Sequence, residues 1–546
     1  MRAWLCTSLQ RQFPKSHPSE RQALTLHAPR GAQTSFQVAF RTDADDMQVA
    51  ASAESSHLGV TIRRVGYVPV QHLNIKIPLD HLDGAEHIPG LVPDPLLPET
   101  TVHAGPYETN AFWITVGVPE DAAPGSHPVQ VTLTSDQAGT VSLSAEVVVH
   151  NITLPKRRDF PVTHWFYADA LCDWYKVEPF EEAFWPIAER YFANVVAHGQ
   201  DTIYVPMFTP PLDGIKRPTQ LLGVQPRGDR YEFDWSLARR WIRSAEKQGI
   251  ERFEWTHLFS QWGVEFALRI YEGSGGGETM LWPENTPAVG SVYRNFLSQF
   301  LPEFKQFLDD ENLLDRSFFH ISDEPHGEQH LANYRAAREL IRKLAPWMKV
   351  MDALSDVNFA REGLVDTPVP FLSSVTQFKA EGFEPWCYFC PGPRGTYFHR
   401  RLDTPLAKTA MAGWLFYKTE VRGFLHWGYN YWYKRATRNL IDPYTVTDAG
   451  AWPGWVYGDT FVVYPGENGP IDSLRWEVWA ESLQDYALLQ AAGVDPGDPM
   501  LSEIQDFETF PWTEDWISRA RLEVLRRLEQ QDCLRSTKRP NTPAPH

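Results

Sequence analysis

The stretch Phe318-Phe319-His320-Ile321-Ser322-Asp323-Glu324-Pro325 runs an apolar segment straight into two adjacent carboxylates. On both sides of it the texture is strand-then-helix. Segments 160–167, 202–206, 252–257 and 317–322 read as four strands, and 349–353, 371–375, 386–390 and 423–427 as four more. Helical patterns at 181–198, 234–249, 289–309, 328–344 and 404–419 fall between them. Gly199 closes the first, Asp234 caps the second and Gly249 ends it. Eight strands with helical crossovers predict a (β/α)8 barrel, although the crossovers around strands five to seven are too short for full helices. In such a barrel, chemistry sits at the C-terminal strand ends, where Asp323 and Glu324 fall.

Upstream, large apolar side chains alternate with small or polar ones in 36–41, 112–118, 129–133 and 141–149, with turn residues such as Pro124-Gly125 between the runs. That period of two predicts antiparallel strands in a β-sandwich. Downstream, Ser473 opens a long amphipathic helix with Leu474, Val478, Leu483, Tyr486 and Leu489, and 516–530 reads as a second. The expected organisation is a supporting sandwich over 1–155, a catalytic barrel over 156–465, C-terminal helices packing on the barrel over 466–537, and a disordered, Pro-rich tail over 538–546.

The chain has 546 residues with Lys+Arg 51 and Asp+Glu 69, a net charge of −18. An acidic surface argues against nucleic acid as a partner, since nothing offsets repulsion from a polyanion. No run approaches the ~18 apolar residues of a membrane span. The first residues have no apolar leader core, and five scattered cysteines make no disulfide framework. The expectation is a cytoplasmic protein.

Two close carboxylates disfavour each other's charge, so one can stay protonated near neutral pH, as a general acid on a leaving-group oxygen requires. Pro325 is expected to hold Glu324 in an extended backbone. The bland reading is an acidic loop that only caps the next helix. A two-carboxylate glycosidase needs a second carboxylate about 5 Å away for retention or ~6.5–9.5 Å away for inversion. Strand seven ends Cys390-Pro391-Gly392 and strand eight ends His426-Trp427-Gly428-Tyr429-Asn430, with no carboxylate. Substrate-assisted hydrolysis removes the need for one, because the sugar's 2-acetamido oxygen attacks the anomeric carbon.

The order of sandwich, barrel, Asp-Glu pair after strand four and closing helical Ser473-Leu474-Arg475-Trp476-Glu477 segment resembles glycoside hydrolase family 123 over roughly residues 30 to 500. The resemblance implies a retaining exo-β-N-acetylgalactosaminidase. Asp323 would orient the acetamido group and Glu324 would be the general acid/base. The His-x-Gly-Gly-Asp-Glu motif of the family 20 hexosaminidases is absent. The alternatives are a barrel glycosidase for another sugar and a non-catalytic carbohydrate-binding protein.

A site for a terminal β-linked 2-acetamido sugar also needs stacking faces and hydrogen-bond donors. Trp427, Tyr429 and Asn430 follow strand eight, Trp386 and Tyr397 flank strand seven, His257 ends strand three and Tyr167 ends strand one. These are the candidate substrate-binding residues, and each equally suits core packing. Arg475 and Glu477 read as ties between the last long helix and the barrel. No cofactor or metal is expected, since no His-Glu-x-x-His pair occurs and Cys387/Cys390 lack a second ligand pair. Gly273-Ser274-Gly275-Gly276-Gly277 reads as a flexible loop that can cover the cleft.

Overall fold

The computed structural model describes residues 1–537, and the tail expected over 538–546 lies outside the described residues. The chain divides into two compact units. One comprises Met1–Arg158, Phe398–Glu420 and the residues from Ile471 on; the other comprises Asp159–Tyr397 and Val421–Pro470. Among the described residues no helix is long and apolar enough to cross a membrane.

In the first unit the period-two pattern produces two five-stranded sheets. One runs in the order Arg2–Thr7, Gln33–Arg41, Thr109–Gly117, Gly59–Val70, Gly90–Leu97. The other runs Ala23–Arg30, Gly139–Thr153, Gly125–Ser135, Met47–Glu54, Thr101–Ala104. Neighbours are antiparallel except Ala23–Arg30 and Gly139–Thr153, which pair in parallel. Phe36, Val38, Phe40, Phe112 and Ile114 meet Val129, Val131, Leu133, Ala145 and Val147 in the core. Gln33–Arg41 is nevertheless buried on both faces.

The helix Leu474–Ala492 holds to the first of these sheets. Arg475 makes a bidentate ion pair with Asp94 at 2.9 Å, and Glu477 accepts from Arg63 at 2.8 Å and from Gln33 at 3.0 Å. Arg475 also donates to the Arg400 carbonyl at 3.1 Å, so this helix is tied both to the sheet and to the segment at 400. Sixteen of the nineteen helical residues are buried, so the expected amphipathic stripe is in fact apolar or paired nearly all round.

In the second unit, eight short parallel strands occupy Val162–His164, Thr202–Val205, Arg252–Trp255, Ser317–Phe318, Met351–Ala353, Thr367–Val369, Cys387–Tyr388 and Phe424–His426. The second pairs with the third and the third with the fourth. The bridge Phe319–Val350 carries the ladder to the fifth, which pairs with the sixth. The bridge Phe371–Tyr388 carries it to the seventh, which pairs with the eighth, and the eighth with the first. Between first and second strands, side chains stand in for the ladder: Gln200 accepts from the His164 N–H at 3.1 Å and Asp201 from the Val162 N–H at 2.8 Å.

Two sequence readings need correction. The sixth strand is Thr367–Val369, whereas 372–374 is a 3₁₀ turn leading into the helix Val375–Ala380. The alternation Pro368-Val369-Pro370 hides the strand, because a proline cannot donate; Pro368 and Pro370 enter the ladder only as acceptors, from Trp386 and Tyr388. The glycine run is not a free loop. Gly273–Gly275 is a strand on the hairpin Gln220–Arg227/Arg230–Asp234, an insertion after strand two that the sequence reading missed.

Candidate active site

At the C-terminal ends of the strands lies a cavity of about 480 Å³, within the usual range for a small-molecule site. Its walls include Asp323 and Glu324, with Asp213, Gln261, Trp262, Tyr388, Trp427 and Trp455.

The floor is a buried charge cluster. His320 donates from Nδ1 to Asp352 at 3.0 Å and from Nε2 to Glu254 at 2.9 Å. Burial opposes its charge, but the two carboxylates outweigh it and push its pKa up to about 9, so it is an imidazolium at neutral pH. Glu254 also accepts from Thr163 and Trp165, and Asp352 from Tyr334 and the backbone N–H of Ile321. One network thus joins strands one, three, four and five and fixes the chain just before the carboxylate pair. His257 stacks on His320 at 4.3 Å, and burial beside that cation holds it neutral.

Asp323 is buried and accepts from Gln261 Nε2 at 2.8 Å; its carbonyl accepts from the Trp262 N–H. Glu324 accepts from the Tyr388 hydroxyl at 2.6 Å, and its N–H donates to the Ala353 carbonyl at 2.9 Å. Burial raises both carboxyl pKa values, and mutual repulsion raises Asp323 further. The pair titrates as a unit that retains a proton above the ordinary carboxylate range.

The extended backbone expected for Glu324 is not observed. Its φ is +48°, in the left-handed region. Proline disfavours the right-handed helical region for its predecessor, and the bond to Ala353 fixes the left-handed alternative. Asp213, Trp262 and Ala436, also on the cavity wall, have φ of +57°, +63° and +56°. Such conformations cost energy and persist where the surroundings over-determine them, commonly at functional sites.

Of the candidate binding residues, only Trp427 lines the cavity, donating from Nε1 to Asp459 at 2.9 Å. A side chain on neighbouring Gly428 would strike the Asp459 carbonyl at 2.5 Å, so glycine permits this close approach. The others do not line it. Tyr429 is fully buried and donates to Asn194, and Asn430 clamps the backbone of Tyr167 from both sides. Trp386 precedes strand seven and packs on Phe318 at the start of strand four, the far end from the pair. Tyr397 is half-buried and off the cavity wall. His257 lies in the floor, and Tyr167 sits behind the wall, donating to Asp213 at 2.9 Å.

Residues that sequence reasoning missed come from three loops. Asp213 follows strand two, Gln261 and Trp262 follow strand three, and Asp459 lies in the long excursion after strand eight. Tyr388 was legible: a strand read over 386–390 puts Trp386, Tyr388 and Cys390 on one face, and Tyr388, which ends the observed strand Cys387–Tyr388, reaches the site. Asp213 also changes the count of carboxylates, since it bears on both Asp323 and Glu324 although no strand-end motif announces it.

His257, His320 and Asp352 present atoms within 4.8 Å of one another, a spacing that a metal could use. Both His320 nitrogens already carry protons directed at carboxylates, so a metal would have to displace one.

Residues 165–492 match the family model of the glycoside hydrolase 123 catalytic domain. The solved structure of a family 123 glycoside hydrolase from Clostridium perfringens, concerned with glycolipid glycan hydrolysis, shares the fold. Its TM-score is 0.73 at 14% identity, covering 98% of this chain and 99% of that one. A Bacteroides ovatus GH5 xyloglucanase in complex with a XXXG heptasaccharide covers 86% of this chain and 99% of its own at 9% identity, but its TM-score of 0.31 carries no argument. Comparison with curated protein sequences finds no match.

Proposed function

Since this chain belongs to glycoside hydrolase family 123, we propose that it is a retaining exo-β-N-acetylgalactosaminidase in which the substrate's 2-acetamido group is the nucleophile. In this reading the eight parallel strands form a (β/α)8 barrel. The observation that carries it is the adjacent Asp323-Glu324 pair on the cavity wall, each with its own hydrogen-bond donor and together retaining a proton.

Asp323 accepts the acetamido N–H and turns the carbonyl oxygen toward C1. That oxygen attacks as the C1–O bond breaks, and Glu324, which holds the pair's shared proton once the acetamido N–H favours the ionised form of Asp323, passes it to the departing oxygen. Water then opens the cyclic oxazolinium at C1 and gives a proton back to Glu324. Two inversions at C1 amount to retention. Trp427 and Trp455 offer faces for the sugar ring, and half-exposed Trp262 at the rim offers one for the leaving group.

The decisive comparison is between the nitrophenyl 2-acetamido-galactoside and the galactoside with a plain 2-hydroxyl. Well-placed intramolecular groups are worth up to ~7–11 kcal/mol of barrier, so the hydroxyl compound should be almost inert while still binding. The thiazoline that mimics the cyclised intermediate should bind far tighter than the free sugar. Comparable kcat/KM on both glycosides, without thiazoline inhibition, sinks the reading.

A second reading is favoured by one observation. Asp213 stands on the same wall as Glu324, and a glycosidase for another sugar would use it as nucleophile. A 2-fluoro glycoside would then leave a covalent adduct on Asp213, detectable by mass spectrometry of the peptide.

A further inference from the structure

Lys216 is an unusual resident of this acidic wall. It is 7% exposed and its Nζ has no hydrogen-bond partner. The ammonium lies over the rings of Tyr167 and Tyr431 at 4.4 Å each and faces Tyr433 at 5.7 Å. Two carboxylates, Asp169 and Asp213, act on it, and Asp169 Oδ2 is itself buried without a partner. Burial pushes the Lys216 pKa down and those of Asp169 and Asp213 up. The attraction between Lys216 and the two carboxylates and the cation–π contacts oppose that push, with no direct hydrogen bond to the ammonium.

Asp213 is placed with comparable care. Gly214, with φ of +103°, bridges Ala436, and a Cβ there would lie 2.6 Å from the Ala436 backbone, so only glycine brings the loop in this close. The Asp213 N–H donates to Gln261 Oε1 at 2.9 Å while the same amide donates to Asp323. Tyr167 donates to Oδ2 at 2.9 Å. The carboxyl group is thus fixed in register with the catalytic pair and half open to the cavity.

We propose that Asp213, oriented by Tyr167 and Gln261 and backed by the Lys216 ammonium, is the hydroxyl receptor of the site: it accepts hydrogen bonds from one ring hydroxyl of the bound sugar and so sets which sugar is accepted. This rests on the carbohydrate reading given above. A neutral polyhydroxyl ligand supplies donors and no charge, and a fixed anion is the acceptor that gains most from them. Without the hydroxyl, the carboxylate keeps its bond from Tyr167 but faces the bound sugar with an acceptor unsatisfied, which makes such sites reject the deoxy analogue strongly. Lys216 is a positioning residue, keeping an anion affordable beside Asp323 and Glu324.

The test is a deoxy series: the nitrophenyl 2-acetamido-galactoside and its 3-deoxy, 4-deoxy and 6-deoxy analogues, assayed with wild type, Asp213→Ala and Asp213→Asn. In wild type one analogue should lose about 100-fold or more in kcat/KM. In Asp213→Ala the same analogue should differ from the parent by about 3-fold or less, with the other two penalties unchanged. Lys216→Met should reduce the penalty at that one position only, a selectivity that a general loss of packing would not produce. Should Asp213→Ala turn over too slowly, the same comparison is read from calorimetric binding of the free sugars. Deoxy penalties that survive unchanged in Asp213→Ala overturn the proposal, as does a covalent adduct on Asp213. A wild type inert toward the acetamido galactoside would sink the substrate reading alone, since the series can be rebuilt on the aryl hexoside it does cleave.

Discussion

The hydroxyl of Tyr388 donates to Oε1 of Glu324 at 2.6 Å, joining the end of strand seven to the residue that follows strand four. A phenol donating to a carboxylate favours the charged form and so opposes the upward push of burial on Glu324. Tyr388→Phe removes that opposition, and the Glu324 pKa should rise further. The alkaline limb of the kcat/KM profile, where the general acid loses its proton, should move to higher pH. An unchanged limb would mean that Glu324 is not the acid.

Glu324→Gln should lose about 10²–10⁴-fold on substrates whose leaving group is a sugar alcohol. On nitrophenyl glycosides the loss should be far smaller, because an acidic phenol departs with little protonation. Asp323→Asn should slow both classes alike, since it acts on the attacking group. Steady-state rates on the two leaving groups separate these outcomes.

The same pair makes a prediction about stability. Both carboxyls have pKa values raised in the folded protein relative to the unfolded value near 4. Below that pH both states are protonated; as pH rises, the unfolded chain ionises first and the folded state loses ground until it ionises too. Glu324→Gln cannot ionise there. Its Tm should match wild type near pH 4 and exceed it by about 2 °C at pH 8, measured by thermal scans across pH. A variant less stable at every pH would count against a repulsive pair.

His320→Leu should do the opposite, leaving Glu254 and Asp352 buried without their cation at a cost of about 3–5 kcal/mol. With a folded pKa of about 9 against roughly 6.5 unfolded, the histidine's contribution is fully present below pH 6.5 and is lost as pH rises through 9. The Tm gap between variant and wild type should therefore narrow above pH 9.

Incubation with a strong chelator should leave the rate unchanged. In the His257–His320–Asp352 group both His320 nitrogens are held by carboxylates and His257 Nδ1 pairs with Tyr204, which leaves His257 Nε2 alone without a partner, and the mechanism draws every charge from protein and substrate. A large loss restored by one divalent ion would show that a metal displaces the His320 proton.

Much of this protein was set by short-range pattern. Alternation with a period of two specified the sandwich strands, because one face of each must be buried. The run from Phe318 to Glu324 placed two carboxylates beyond a strand end, because an apolar segment stops where charge begins. The residues missed or misplaced are those whose meaning depends on a partner distant in the chain. Trp386 and Tyr388 are two residues apart, and only their position relative to the short strand Cys387–Tyr388 decides that one packs on Phe318 and the other holds Glu324. Tyr429 and Asn430 follow strand eight as a binding residue would, yet their polar groups are taken by Asn194 and the Tyr167 backbone. Asp213 and Lys216 sit in an undistinguished loop, and their significance arises from Tyr167, Gln261 and Tyr431, tens to hundreds of residues away. Local sequence determined most of the strands and helices, because hydrophobic period and turn chemistry act over a few residues, but not Thr367–Val369 between its prolines or the hairpin Gln220–Arg227/Arg230–Asp234. Which charges meet in the cavity was decided by tertiary structure alone, because Coulomb and hydrogen-bond terms depend on distance in space and not on separation along the chain.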